Sequence, residues 1–286
     1  MRRPDFAPMA HPHIDPPFGT FALPGPLERL RRASETMESE RATRNVRRFL
    51  ALLRKSPVDA VLFGDQKMRL HLHDNRTEKR IVCGEQFYDP EERAEIARIA
   101  TSDTTPFVMV DAGANVGAYT FIARSILAKA KREATIIAFE PDPENAARLR
   151  ANIAANDATD VRHIPVALSN EEGTVRFRSV QPRDRGRAQV ADDGDLEVPS
   201  RPLATVLAEQ DVTHVDVLKM DIEGYEAVVL GVFFQQAPAT LHPRLVILET
   251  YHDGDDALPT LLAEHGYAAV AQSRANTVYE RRDVAP

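Results

Sequence analysis

Apolar positions in the second half of the chain fall into short unbroken runs, separated by stretches with apolar residues at helical spacing. Such runs are typical of parallel strands covered on both faces, and the stretches between them are typical of amphipathic helices. The alternation is regular from Phe107 onwards, which predicts an α/β domain with a mostly parallel sheet and right-handed crossovers. The predicted strands are Phe107–Val110, Thr135–Glu140, Val161–Val166, Val215–Met220 and Leu245–Glu249, with Tyr267–Ala271 and Thr277–Glu280 closing one edge in antiparallel pairing. The predicted helices are Tyr119–Lys129, Pro143–Asn156, Pro202–Glu209, Glu223–Phe234 and Leu258–Glu264.

The amino-terminal part of the chain follows other patterns. Residues 1–26 are rich in proline without periodicity, which predicts a disordered or loosely docked arm. From Leu27 to Lys55, apolar residues at helical spacing lie opposite an arginine-rich face, which predicts a helix packed on the main domain or on a second copy of the chain. For the basic face, binding of an acidic substrate or an anionic membrane is the alternative.

Between this helix and the first core strand, the period changes. Apolar and polar residues alternate within Val58 to Val82, which predicts a meander of short strands, and a helix follows from Glu91 to Ala100. The chain is therefore divided into the arm (1–26), a helix, meander and helix packed on the core (27–100), and the main domain (101–286).

One connection in the main domain, residues 169–211, is longer than a strand-to-helix loop requires. It carries the arginines 183, 185 and 187 and then the acids 192, 193 and 195. One interpretation is a substrate lid whose arginines bind a phosphate or carboxylate on a small-molecule acceptor. The other is a surface loop whose opposite charges pair or are solvated.

Composition restricts the function classes. The 286 residues carry a formal net charge of −7, which argues against a nucleic-acid partner. No stretch is apolar enough to span a membrane, and the start lacks a signal peptide's apolar core, so we expect a cytoplasmic protein. The single Cys83 excludes an intramolecular disulfide and a cysteine-based zinc cluster, and we predict no metal site.

A glycine turn follows the first core strand with the spacing Asp111-x-Gly113-x-x-x-Gly117. A dinucleotide site needs Gly-x-Gly-x-x-Gly to hold a pyrophosphate, whereas a carboxylate at the first position repels phosphate and suits a cationic ligand. The second strand ends in Glu140, which can accept hydrogen bonds from both ribose hydroxyls of a nucleoside. S-adenosylmethionine, which carries an ammonium, a sulfonium and a ribose but no phosphate, fits this combination.

A second polar group follows the fourth strand, where Lys219, Asp221 and Glu223 end an otherwise apolar run. Carboxylates at a helix start can simply cap the helix, which accounts for Glu226. We assign a functional role to Asp221 and Glu223 because capping accounts less well for them. After the fifth strand, His252 is a candidate general base, since its unperturbed pKa lies near neutrality.

Four stretches of the sequence together resemble the FkbM-type methyltransferases. They are Asp111–Thr120, Ala138–Pro143, Val166–Ser169 and Leu218–Glu226. The resemblance covers about Asp89 to Glu249. It implies a Rossmann-like class I methyltransferase fold, with a seven-stranded sheet covered by helices on both faces, and S-adenosylmethionine as cofactor. It also implies methylation of hydroxyl oxygens on natural products or sugars.

The resemblance assigns roles by position. It implies that Asp111, Gly113, Asn115 and Gly117 shape the methionine pocket, that Glu140 holds the ribose, and that Asp142 and Ala167 lie by the adenine. Lys219, Asp221 and Glu223 match the acidic turn of the family. Tyr225 departs from the small residue usual there, which puts the shape of the acceptor pocket in question.

The sequence thus predicts a methyltransferase that aligns sulfur, methyl and oxygen for in-line displacement, while His252, Asp221 or Glu223 takes the hydroxyl proton. One alternative is a carboxylate acceptor oriented by the lid arginines, which needs no base. The other is a non-catalytic protein that binds S-adenosylmethionine without turnover.

Overall fold

The computed structural model describes residues 13–54, 57–102, 105–178, 189–190, 194, 196–249 and 257–282. Its helices are α1 (Gly25–Ala33), α2 (Glu40–Leu53), α3 (Arg76–Ile81), α4 (Pro90–Ala100), α5 (Ala118–Lys129), α6 (Pro143–Ala155), α7 (Leu203–Glu209), α8 (Glu226–Gln236) and α9 (Ala257–Glu264). Its strands are β1 (Val58–Leu62), β2 (Gln66–Leu70), β3 (Phe107–Ala112), β4 (Ala134–Phe139), β5 (Val161–Ile164), β6 (Ala167–Leu168), β7 (Gly173–Arg178), β8 (Gln189–Val190), β9 (Leu196–Arg201), β10 (Val217–Met220), β11 (Leu245–Glu249), β12 (Tyr267–Gln272) and β13 (Asn276–Arg281). None of the helices in these ranges is long and apolar enough to cross a membrane.

A seven-stranded sheet forms the centre, in the order β12-β13-β11-β10-β3-β4-β5. The five strands from β11 to β5 are parallel, and β13 pairs antiparallel with both β11 and β12. This confirms the predicted mostly parallel sheet with an antiparallel edge. The strand order reverses between β3 and β10, and in such sheets ligands bind at the carboxyl ends of the strands at this switch point.

Alternate side chains of the core strands enter two apolar clusters on opposite faces of the sheet. Met109 packs on one face with Phe121 and Leu149 from α5 and α6. Val110 packs on the other face with Phe233 from α8. Burial on both faces explains why these strands read as unbroken apolar runs rather than as alternating patterns.

The prediction of one continuous amino-terminal helix from Leu27 to Lys55 is wrong in its middle. The chain forms α1, a 3₁₀ turn at Ser34–Thr36, and then α2. Ser39 lies in extended conformation and accepts a hydrogen bond from the Ala42 amide, so it caps a new helix. The helical period continues across this break, and the capping serine is the signal that the break occurs.

The predicted meander is also wrong after its second strand. β1 and β2 form an antiparallel hairpin, and α3 follows it instead of a third strand. Asn75 starts this helix, because its side chain accepts a hydrogen bond from the Glu78 amide. The Asp74-Asn75 pair has a composition typical of turns, but here it starts a helix.

Residues 13–24 of the predicted arm are docked on the hairpin rather than loose. The Arg69 guanidinium, which is buried, forms a salt bridge with Asp59 at 2.7 Å. The same guanidinium donates to the backbone carbonyls of Ile14, Pro16 and Pro17 at 2.6–2.9 Å. Asp59 accepts from the amides of Gly19 and Phe21. Backbone hydrogen bonds to one buried ion pair need no side-chain periodicity, so the sequence pattern did not show this docking.

The long connection from residue 169 contributes to a four-stranded sheet in the order β6-β9-β7-β8. Its antiparallel β7–β9 pair has regular register from Gly173 to Phe177. The arginines and acids that suggested a lid lie outside the described residues, so the lid remains a prediction.

Candidate functional site

A pocket opens at the carboxyl ends of β3, β4 and β10, the location expected from the strand order. Nine of the predicted site residues line it: Asp111, Gly113, Asn115, Glu140, Asp142, Ala167, Lys219, Asp221 and Glu223. Gly117 is not among its lining residues. His252 lies outside the described residues.

The loop after β3 is held against the end of β4. The amides of Gly113 and Ala114 both donate to the Phe139 carbonyl, at 3.0 and 2.8 Å. Gly113 has φ +80°, and a Cβ there would lie 1.9 Å from the carbonyl oxygen of Asp221. Only glycine allows this approach of β3 to the loop after β10.

Gly117 has a packing role in the structure. With φ +94°, it precedes α5, and a Cβ would lie 2.8 Å from Leu149 and Phe121. The glycine therefore lets the start of α5 pack closely on α6. Its predicted contact with a cofactor remains a prediction.

Asp111 is a buried carboxylate one residue before the end of β3. It accepts a hydrogen bond from the Thr120 hydroxyl at 2.6 Å. Burial raises its pKa to about 6, while the Thr120 hydrogen bond and the Lys219 charge oppose that rise. A buried carboxylate is stabilised by a cation, so this position suits a positively charged ligand group.

Glu140 connects the two loops that border the pocket. One carboxylate oxygen accepts from the Asn115 amide at 2.7 Å, and the other accepts from the Asp142 amide at 2.8 Å. Burial raises the pKa of Glu140 to about 8, although both amides favour the ionised form. Each oxygen keeps a second lone pair for a further donor, which is the requirement for binding a diol.

Asp142 has a structural role in addition to lining the pocket. Its carboxylate accepts from the amides of Glu144 and Asn145, at 3.1 and 2.8 Å, and so caps α6. The same residue's amide binds Glu140, so the start of α6 and the Glu140 carboxylate are fixed together.

The turn after β10 brings a cation and several carboxylates to the other side of the pocket. Lys219 is 2% exposed, and its ammonium lies 3.4 Å from Asp221 and over the Tyr119 ring at 5.2 Å. Glu223 and Gly224 have positive φ, so α8 begins at Glu226 rather than at the predicted Glu223. Glu226 accepts from the Ile222 amide at 2.8 Å, so it fixes the turn before α8 rather than capping an amide of the helix as predicted.

Residues 111–269, more than half of the chain, match the family model described as the methyltransferase FkbM domain. The chain belongs to the FkbM methyltransferase family. The seven-stranded order of the sheet agrees with this membership, so the FkbM-family chain has the Rossmann-like class I methyltransferase fold that its sequence predicted.

Three characterised relatives of the FkbM-family chain were found. It is 30% identical over 166 residues to methyltransferase sdnD of Sordaria araneosa, covering 46% of this chain and 62% of the relative. It is 27% identical over 125 residues to hexuronic acid methyltransferase AglP of Haloferax volcanii, covering 43% and 48%. It is 30% identical over 200 residues to 31-O-demethyl-FK506 methyltransferase FkbM of Streptomyces tacrolimicus, covering 58% and 74%. The chain thus spans less than two thirds of the length of sdnD and AglP.

Glu249 does not itself line the pocket, but it contacts the lining residue Asp221, and the sequence assignment did not include it. It ends β11, beside β10, and its carboxyl is hydrogen-bonded to that of Asp221. Burial, and then the neighbouring Asp221 charge, raise the pKa of Glu249 to about 7. Acids at the carboxyl ends of neighbouring parallel strands meet at one edge of the sheet. The sequence could therefore have indicated the Asp221–Glu249 pair from the acids at the ends of these two strands.

The amino-terminal segment supplies further lining residues of the FkbM-family site that the sequence assignment missed. Thr77 from α3 and Tyr88 from the approach to α4 line the pocket. Tyr119 lines it as well, and its hydroxyl donates to Asp89 at 2.8 Å. Asp89 is a non-glycine residue with φ +46°, and burial raises its pKa. Such long-range contacts leave no local signal in the sequence.

Proposed function

We propose that this FkbM-family chain is an S-adenosylmethionine-dependent O-methyltransferase that acts on a hydroxyl of a small molecule, natural product or sugar. The observation that carries the proposal is the single pocket shared by Glu140, Asp111 and the acidic turn at Asp221. It combines a carboxylate for a diol, a carboxylate for a cation, and titratable groups for a proton.

The donor set of the pocket fits this cofactor better than a phosphate-bearing one. Among the lining residues that the structure describes, Lys219 is the one cation, and it is paired with Asp221. Carboxylates repel phosphate but bind the hydroxyls of ribose and the ammonium of methionine. Bound here, S-adenosylmethionine would supply a methyl group activated by a sulfonium.

By family resemblance, the cofactor would contact two sides of the pocket. Glu140 would bind its ribose, while Asp111, Gly113 and Asn115 would surround its methionine part. Ala167 and Asp142 would lie by its adenine, and the apolar neighbours Phe139 and Leu168 suit a planar base.

Removal of the acceptor proton is assigned to the acidic groups after β10 and β11. Methyl transfer forms a carbon–oxygen bond and breaks a carbon–sulfur bond, and the hydroxyl proton must leave the oxygen. A base with a pKa near the working pH accepts that proton most effectively. Asp221 and Glu249 share a hydrogen bond, and the raised pKa of Glu249 meets this condition. Glu223 and His252 remain the other candidates for the base.

The alternative acceptor is a carboxylate on a small molecule. One relative, AglP, is named a hexuronic acid methyltransferase, and a hexuronic acid is a sugar that bears a carboxylate. A carboxylate acceptor is already ionised at neutral pH and needs no base. A rate that does not change between about pH 6 and pH 8 would favour this alternative over a hydroxyl acceptor.

Calorimetric titration with S-adenosylmethionine and S-adenosylhomocysteine tests the cofactor assignment. We expect both to bind the wild type, and Glu140→Ala to weaken binding about tenfold or more, because two ribose hydrogen bonds are lost. His252→Ala should leave binding intact and slow turnover.

The control for the Glu140 variant is Asp160→Ala, which removes a carboxylate paired with Arg124 on another part of the domain. Its affinity should equal that of the wild type. Unchanged affinity in Glu140→Ala would contradict the ribose assignment. Absence of heat from either ligand with the wild type would favour a protein that has lost cofactor binding.

A further inference from the structure

The short helix α3 is connected to the loop after β3 by one side chain, Asn75. This residue is 2% exposed, and its two amide atoms have different partners. The oxygen accepts from the Glu78 amide and caps α3, at 3.2 Å. The nitrogen donates to the side-chain oxygen of Asn115 at 2.6 Å.

Asn115 transmits this contact to the centre of the pocket. Its backbone has φ +54°, a left-handed conformation that asparagine tolerates better than most residues. Its amide donates to Glu140 at 2.7 Å. A continuous path of hydrogen bonds therefore joins Asn75, Asn115 and the Glu140 carboxylate.

A second contact fixes α3 to the other border of the pocket. Arg148 on α6 donates to both carboxylate oxygens of Asp74, at 2.7 and 3.0 Å, and to Glu78 at 3.0 Å. Arg148 and Glu78 are both buried, and such pairs are strongly destabilising to break. Helix α6 itself begins at the Asp142 cap, which is bound to Glu140.

Helix α3 is thus attached to the loop after β3 and to α6, and its residue Thr77 lines the pocket. We propose that α3 is a fixed cover of the cofactor pocket and that Asn75 is a positioning residue. Asn75 keeps the Asn115 loop and Glu140 in the geometry that binds the ribose. This inference rests on the proposed cofactor. It extends the site to residues before position 111, outside the part that matches the family model.

The alternative is that Asn75 has only a structural role, in which its side-chain oxygen caps the amino end of α3. Serine caps a helix as well as asparagine does but is too short to reach Asn115. Asn75→Ser therefore keeps the cap and removes the contact with the loop. We expect the Kd for S-adenosylhomocysteine, measured by calorimetry, to rise about tenfold, with little change in Tm. The KM for S-adenosylmethionine should rise in proportion, while kcat at saturation stays close to the wild-type value.

The matched control is Asn156→Ser, at the end of α6. The Asn156 side chain also joins the amino-terminal segment to the core, by hydrogen bonds with both the amide and the carbonyl of Lys67 at 2.8 and 2.6 Å. It is not a lining residue of the pocket. We expect this variant to lower Tm and to leave the Kd unchanged.

Asn115→Ala tests the same contact from its other end, with the cap on α3 intact, should Asn75→Ser fail to fold. It should raise the Kd at least as much, and adding Asn75→Ser to it should have no further effect. The proposal is overturned if Asn75→Ser or Asn115→Ala binds like the wild type, or if Asn156→Ser weakens binding equally. No binding to the wild type would instead overturn the proposed function, so the two failures are distinguishable.

Discussion

At the scale of single residues, the site depends on carboxylates that are buried and on a glycine that allows close backbone contact. Asp111 and Glu140 are buried carboxylates with raised pKa values. Gly113 brings its backbone against the Asp221 carbonyl. The sequence singled out these three positions, which line the pocket, because each carries a local signal: a strand end, a glycine spacing, or an acid closing the next strand.

Gly113→Ala tests the close approach of the two loops. The alanine Cβ would collide with the Asp221 carbonyl. In addition, the alanine backbone would have to adopt φ +80°, which is unfavourable for any residue with a Cβ. We expect the free energy of unfolding to fall by about 2 kcal/mol or more, measured by urea denaturation.

Gly231→Ala is the control for that variant. Gly231 lies within α8, and a Cβ there meets nothing within 4 Å. Alanine should stabilise this helix by about 0.5–1 kcal/mol. Equal effects of the two substitutions would contradict the described contact between Gly113 and Asp221.

At the scale of elements, periodicity predicted the core and failed at boundaries set by single side chains. The parallel strands and the helices α5, α6 and α9 were predicted within a few residues. The break at Ser39 and the start of α3 at Asn75 are decided by capping side chains, which the helical period does not show. The Asp221–Glu249 pair depends on β10 and β11 lying side by side, which only the sheet order reveals.

Glu249→Gln tests that pair with a side chain of similar shape. A base with pKa about 7 is protonated below that pH, so the wild-type rate should rise as pH increases through about 7. Glutamine removes the titration. We therefore expect this rise to disappear and kcat at saturating cofactor to fall about a hundredfold, measured as a pH–rate profile.

Two further variants identify the base. Glu226→Gln changes a neighbouring carboxylate that binds the Ile222 amide, and it should keep the wild-type shape of the profile. If His252→Ala removes the rise and Glu249→Gln retains it, the histidine predicted from the sequence is the base, and the carboxyl pair is not.

At the scale of the whole molecule, two apolar clusters hold the parallel sheet between helical layers, while the amino-terminal segment completes the pocket. The resemblance of the central motifs predicted the family correctly, and it pointed to residues that line one side of the pocket. Asn75, Thr77 and Tyr88 could not be assigned, because their contacts join segments far apart in sequence. We propose that the acceptor is selected on the side of the pocket bordered by Phe177, Leu196 and Tyr225, where the chain departs from the family pattern or carries its long connection.

A crystal structure of the chain with S-adenosylhomocysteine tests the proposed cofactor site most directly. We expect both ribose hydroxyls to lie within hydrogen-bond distance of the Glu140 carboxylate, the amino group to lie by Asp111, and Thr77 to cover the ligand. The sulfur should point toward Asp221 and Glu249. A ligand bound elsewhere, or in this pocket with its ribose away from Glu140, would contradict the assignment of Glu140 to the ribose.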